Sequence, residues 1–142
     1  MSELNLNPRA AESLQRWHDM VAQQDLSALP ELLATNVVFR SPMAHTPYPG
    51  PVVVSTILNT VLKVFVGFTY HRQLATADGL SVVLEFSASV GGRELKGIDM
   101  IRFDEQGKIV EFEVMVRPMS GLQALGAEMG QRLGAYLAAA KA

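Results

Sequence analysis

The chain has 142 residues, enough for one domain with a sizeable core. Apolar residues make up 49% and charged residues 18%, which excludes a disordered chain. Twelve basic against fourteen acidic side chains leave a net charge of −2 with no run of Lys or Arg, so neither a nucleic-acid nor an anionic-membrane partner is expected. The absence of cysteine excludes disulfides, thiolate catalysis and Cys-ligated metals. The histidines His18, His45 and His71 lack ligand spacing, so no metal and no cofactor is expected. The start, MSELNLNPRAAESL, is polar and carries acids, unlike a signal peptide. The most apolar stretch, Val52–Val66, is interrupted by Ser55, Thr56, Asn59, Thr60 and Lys63 and is too short to span a bilayer. A cytoplasmic protein is the expectation.

Pro8 suits the first turn of a helix reaching about Gln24, with Leu14, Trp17, Met20 and Val21 on one stripe. Asp25 or Ser27 caps a short second helix carrying Leu29, Leu32 and Leu33. Val37–Ser41 reads as a strand with Val37, Phe39 and Ser41 on one face, followed by a loop bounded by Pro42, Pro47, Pro49 and Gly50. Pro51 opens a third helix, with Val54, Ile57, Leu58, Val61 and Phe65 at helical spacing.

Strands then follow as far as Pro118. Phe68–Leu74 is the first, turning at Asp78-Gly79. In the next, Leu80, Val82, Leu84, Phe86, Ala88 and Val90 alternate with Ser81, Glu85, Ser87 and Ser89. Gly91-Gly92 marks a hairpin into a strand from Arg93 to about Phe103, which reverses at Asp104–Gly107. The last strand puts Val110, Phe112, Val114 and Val116 on one face and Glu111 and Glu113 on the other. Leu122, Leu125, Met129, Leu133 and Leu137 mark a closing amphipathic helix over 118–140. One domain over 1–142, with a core of about 9–117, is expected to be α+β. Its three N-terminal helices would pack in the concavity of a curved, mostly antiparallel sheet and leave a pocket between the layers.

Asp99 stands out. Parity through Leu95–Phe103 puts Leu95, Gly97, Asp99, Ile101 and Phe103 on one face, against Lys96, Met100 and Arg102 on the other. The carboxyl then projects into an apolar interior, where burial raises its pKa. There it stays protonated as a donor, pairs with a base, or sits in a wet cavity; a purely structural carboxyl bonded to backbone or buried water is the other reading. Ser41 reads either as a turn hydroxyl or as a pocket group, and Trp17 as core or as a pocket wall whose N–H needs a partner. His45 lies in the proline-rich loop Met43–Pro49, exposed or at a pocket rim. No Gly-rich phosphate loop, Ser elbow or paired-carboxylate motif is present.

Four stretches carry a family resemblance: the helix from Leu14-Gln15-Arg16-Trp17-His18 to Asp25, the strand Val37–Pro42, Gly50 before the third helix, and Gly97-Ile98-Asp99-Met100-Ile101-Arg102-Phe103-Asp104-Glu105-Gln106-Gly107-Lys108-Ile109. Together, up to about Arg117, they resemble the SnoaL-like, nuclear-transport-factor-2-like superfamily, and Ser41–Pro47 with Met115–Pro118 looks like a bacterial branch of it. The resemblance implies a cone: three helices packed into a curved sheet, in a homodimer. Ile98–Ile109 resembles the matching strand and turn of bacterial ketosteroid isomerases, which implies for Asp99 the role of a protonated oxyanion-hole donor. In that comparison the general-base position holds Ser41, the oxyanion-hole tyrosine falls on Trp17 and a supporting tyrosine on Leu58. A serine of ordinary pKa does not abstract a carbon-bound proton unaided, so ketosteroid isomerase chemistry is not expected. Gly97 stands where the superfamily's epoxide hydrolases carry the Arg of an Arg-x-Asp pair, so that chemistry is not expected either. SnoaL-type polyketide cyclases, with a pocket acid and an apolar cavity, are compatible with Asp99.

Two functions remain open. One is a binding or dimerisation module whose apolar pocket holds a small organic molecule, cyclic or open-chain. The other is a cofactor-independent isomerase, cyclase or dehydratase with Asp99 as acid or donor, the base falling to His45 or His71. Trp17, Phe39, Ser41, Met43, Tyr48, Leu58, Phe86, Ile101, Phe112 and Val114 are expected to bind the ligand. A homodimer through the outward sheet face, around Val83, Met100 and Met115, is expected in either case.

Overall fold

The computed structural model describes residues 4–141. Helix α1 (Pro8–Gln23) has Asn7 as its cap, whose side chain accepts from the Arg9 N–H at 2.9 Å, and ends at Gln24 with a left-handed φ of 54°. Its buried stripe is Ala10, Ser13, Leu14, Trp17 and Met20. Next comes a single 3₁₀ turn, Leu29–Leu32, in place of the expected second helix. The four residues form one turn before the chain enters β1 (Leu33–Arg40), and one turn cannot propagate a helix. Only two α-helices, not three, therefore precede the long strands: α1 and α2 (Pro51–Val64), the latter following the two-residue strand β2 (Tyr48–Pro49).

Strands β3 (Val66–Ala75), β4 (Ser81–Val90), β5 (Arg93–Phe103) and β6 (Ile109–Arg117) form a meander, and helix α3 (Met119–Lys141) follows. The sheet has six strands in the order β2-β1-β6-β5-β4-β3. All pairs are antiparallel except β1 with β6, which is parallel and brings Phe39 beside Phe112. The β4–β5 hairpin closes through Gly91 and Gly92 at φ 55° and 78°, positive values that a two-residue primed turn requires. At the β5–β6 turn, Asp104 Oδ1 accepts from the Gln106 and Lys108 N–H groups, each at 2.9 Å. Ser13 donates to the Gly107 carbonyl at 2.5 Å and ties α1 to that turn.

Strict alternation holds along β5: Leu95, Gly97, Asp99, Ile101 and Phe103 are buried, while Lys96, Met100 and Arg102 are exposed. It fails in β6. A register shift after Arg102 pairs Phe103 with Ile109, so Ile109 is fully buried and Val110, expected inward, is half-buried. The outward face carries ion pairs: Glu85 with Arg72 and Lys96, and Glu111 with Arg40 and Arg102. Donation from Arg72, then from Lys96, holds the Glu85 carboxyl well below the usual carboxylate range. No described helix is long and apolar enough to cross a membrane.

Candidate ligand cavity

Between helices and sheet lies a cavity of ≈ 310 Å³. Its walls come from every layer: Trp17 on α1, Phe39 and Tyr48 on β1 and β2, Leu58 on α2, Phe112 and Val114 on β6, with Ser41 and Met43 beyond β1. Asp99 is 6% exposed and projects into it from β5. Most expected ligand contacts thus converge on one space. Met43 is 52% exposed and stands at the mouth, its methyl end against Gly126 of α3, where an added Cβ would lie 2.5 Å from Met43 Cε.

Phe86 and Ile101, expected at the wall, are not on it. Phe86 is fully buried: Phe65 and Phe68 lie across its ring at centroid distances of 5.5 and 4.9 Å and face the cavity in its place. Ile101 is 1% exposed, deeper along β5 beside Phe112, whose own ring is covered by Trp17 at 5.2 Å. His45 is exposed on its loop and outside the cavity, because the loop's polar side chains point to solvent while Tyr48 turns inward. His71 lies on the outward sheet face with Nε2 2.7 Å from Ser87 Oγ. Neither histidine is in reach of anything in the cavity.

The polar centre is a chain of three side chains. Trp17 Nε1–H donates to Tyr70 Oη at 2.9 Å, and Tyr70 Oη–H donates to Asp99 Oδ2 at 2.6 Å. Among the described residues this is the one hydrogen bond to the Asp99 carboxyl, and Oδ1 is open to the cavity. Burial pushes Asp99 up from 3.8 to about 7, the Tyr70 hydroxyl pulling the other way. The same burial, together with the nearby Asp99 charge, pushes Tyr70 well above its ordinary value of 10.0. No second carboxylate, histidine, lysine or arginine lines the cavity among the described residues. Ser41 Oγ accepts from the Met43 N–H at 3.0 Å, a turn hydroxyl at the cavity edge with no base beside it among the described residues.

Tyr70 went unmarked in the sequence, although its spacing from Phe68 in the same strand puts both on one face and would have found it. The α3 wall, Leu125, Gly126, Met129, Gly130, Gly134 and Leu137, was legible only as an amphipathic stripe without a partner.

A SnoaL-like domain model matches residues 14–112. The chain belongs to this SnoaL-like family. A crystal structure named as a steroid delta-isomerase from Pseudomonas aeruginosa is 70% identical to this SnoaL-like chain, with a TM-score of 0.92, covering 96% of it and 99% of its own chain. An uncharacterized bacterial protein with a cystatin-like fold from Silicibacter pomeroyi is 34% identical over 85% of this chain and 84% of that one, with a TM-score of 0.78. SalBIII, an epoxide hydrolase/cyclase-like enzyme with a role in pyran ring formation in salinomycin, is 19% identical over 83% of this chain and 97% of its own, with a TM-score of 0.66, a likeness of fold. A search of curated proteins gave no match. At Gly97 this SnoaL-like domain has no room for a side chain without a shift of its neighbours: a Cβ there would lie 2.4 Å from the Met115 carbonyl oxygen and 2.6 Å from the Phe86 ring.

Proposed function

We propose that this SnoaL-like domain binds a small, ring-containing organic molecule carrying one acceptor oxygen, such as a cyclic ketone. The rings would pack among Trp17, Phe39, Phe65, Phe68 and Phe112, and the neutral Asp99 carboxyl would donate to the oxygen. The observation that carries this reading is the single carboxyl among the described lining residues, with one oxygen unpartnered, opening into a mostly apolar cavity of ≈ 310 Å³, within the size range of small-molecule sites. The domain's one tryptophan stands in the cavity wall, so its emission reports from the site. Titration with 1-tetralone should change that emission saturably with a stoichiometry of one per chain, and Asp99→Leu should weaken binding. No saturable change up to the solubility limit overturns the reading.

The name of the 70% identical Pseudomonas structure favours a second reading, an isomerase, cyclase or dehydratase using Asp99 as acid or donor. With no other carboxylate on the wall among the described residues, the ionised form of Asp99 would have to take up the proton and then, as the acid so formed, return it. Conversion of a β,γ-unsaturated cyclic ketone to its conjugated isomer, followed by the absorbance of the conjugated enone, separates the two. Turnover abolished by Asp99→Asn supports the enzyme; tight binding without turnover supports the binding module.

We also infer a homodimer through the outward sheet face, where Met100 and Met115 are 36% and 45% exposed beside the Glu85 ion pairs. Sedimentation at micromolar concentration should give twice the chain mass; the monomer mass would contradict it.

A further inference from the structure

A phenol oxygen flanked by two polar groups can be oriented in either sense, and the sense here is set by chemistry. Trp17 Nε1 is a donor with no acceptor capacity, so in its 2.9 Å contact the Tyr70 oxygen must accept. The Tyr70 proton then needs an acceptor of its own. The described acceptor within reach is Asp99 Oδ2, at 2.6 Å. If Asp99 instead donated to Tyr70, two donors would converge on one phenol oxygen and the hydroxyl proton would be left unbonded in an apolar wall, an unsatisfied buried donor. The polarity therefore runs one way, from indole N–H to phenol O–H to carboxyl Oδ2. When the carboxyl is neutral, its proton is on the other oxygen, Oδ1, which faces the cavity.

We infer that Trp17 and Tyr70 form a one-way hydrogen-bond relay that keeps the Asp99 proton on Oδ1, so that the cavity selects ligands presenting an acceptor oxygen over isosteres lacking one. Tyr70 and Trp17 are positioning residues: they act on the ligand's oxygen through Asp99. The inference rests on the binding reading above and deepens it, since it names which atom of Asp99 meets the ligand and what fixes it. The relay also joins elements distant in sequence, α1 to β3 and β3 to β5. Apart from Asp99, the titratable groups on the cavity wall are Tyr48 of β2 and Tyr70 of β3; α1, α2, α3, β1 and β6 contribute none among the described residues. His18 of α1 lies behind the wall, its ring edge-on to Tyr70 at 5.2 Å.

The test compares two ligands of one shape, 2-acetylnaphthalene and 2-isopropenylnaphthalene, in which C=O is exchanged for C=CH₂. Calorimetric Kd values are measured from pH 5 to pH 9 for the wild-type chain, Trp17→Phe and Tyr70→Phe. The wild type should prefer the ketone by about tenfold at pH 5, the worth of one good hydrogen bond, and lose the preference as Asp99 ionises. Trp17→Phe empties the acceptor site on Tyr70, lets Asp99 donate there instead, and should cut the preference to about threefold or less. Tyr70→Phe removes the donor that favours the carboxylate and should move the pH at which the preference is lost upward by about one unit. A merely structural role for either side chain would weaken both ligands alike and leave ratio and midpoint unmoved. A wild-type preference that survives Trp17→Phe, with an unshifted midpoint in Tyr70→Phe, overturns the relay. A wild type that binds neither ligand overturns the binding reading instead. Tyr70→Phe keeps its ring in place, so the midpoint decides alone if Trp17→Phe does not fold.

Discussion

Replacing Asp99 by Asn isolates what the buried carboxyl does to stability. Its pKa is about 7 in the folded chain against an ordinary 3.8. An acid whose folded pKa is raised holds its proton longer in the folded than in the unfolded chain. Between those two values unfolding releases a proton, so stability falls as pH rises through the window. Below 3.8 both states are protonated and nothing is lost; above 7 both are ionised and the full penalty stands. At about 1.4 kcal/mol per pH unit, the interval from 3.8 to about 7 amounts to about 4 kcal/mol. Asn stays neutral throughout, and its carbonyl can accept the Tyr70 hydroxyl where Oδ2 did. The lowered carboxyls Glu85, Glu111, Asp25 and Asp78 titrate alike in both proteins and cancel in the difference. Urea unfolding at intervals from pH 3.5 to pH 8 gives that difference directly. The two proteins should lie within about 1 kcal/mol of each other at the acid end, and Asp99→Asn should gain by about 4 kcal/mol toward pH 8. Parallel pH profiles would refute the buried neutral carboxyl.

Gly97→Ala pushes a methyl against the Met115 carbonyl oxygen and the Phe86 ring, and should lower unfolding free energy by about 1–3 kcal/mol in urea titrations. Gly130 sits in the interior of α3 with nothing within 4 Å of an added Cβ, so Gly130→Ala should raise the melting temperature through about 1 kcal/mol of helix propensity. Glu85→Gln leaves Arg72 and Lys96 without their shared carboxylate; the loss should be present above pH 4.5 and shrink as pH falls below it, read by melting curves across pH. Ser41→Asp sets a second carboxylate at the cavity edge and should speed the conversion of a β,γ-unsaturated cyclic ketone at least tenfold in the enone absorbance assay, about 1.4 kcal/mol of barrier.

Asp99 was legible because β5 pairs with β4 without a break from Arg93 to Arg102, so counting by twos finds its face. The same counting misplaced Val110, because the shift opposite Arg102 is a matter of pairing between two strands and leaves no mark in either one alone. Phe86 points inward as its parity requires, but how deep it lies depends on Phe65 and Phe68, which reach it only once β3 has paired with β4. Strand β1 begins at Leu33 rather than Val37 because Leu33 pairs with Ile109, across most of the chain. That pairing also ends the short helix after one turn. The cavity's polar centre combines residues from α1, β3 and β5. Only Asp99 breaks an apolar pattern; Trp17 and Tyr70 look like ordinary core until the fold brings their polar ends together.

The most direct measurement is the carboxyl ¹³C shift of Asp99 against pH, recorded with and without a saturating cyclic ketone such as 1-tetralone. The free domain should titrate near pH 7, and a ligand accepting the Oδ1 proton should move the midpoint upward, because it binds the neutral form. A midpoint near 3.8, unmoved by the ketone, would place the carboxyl in water and contradict the account.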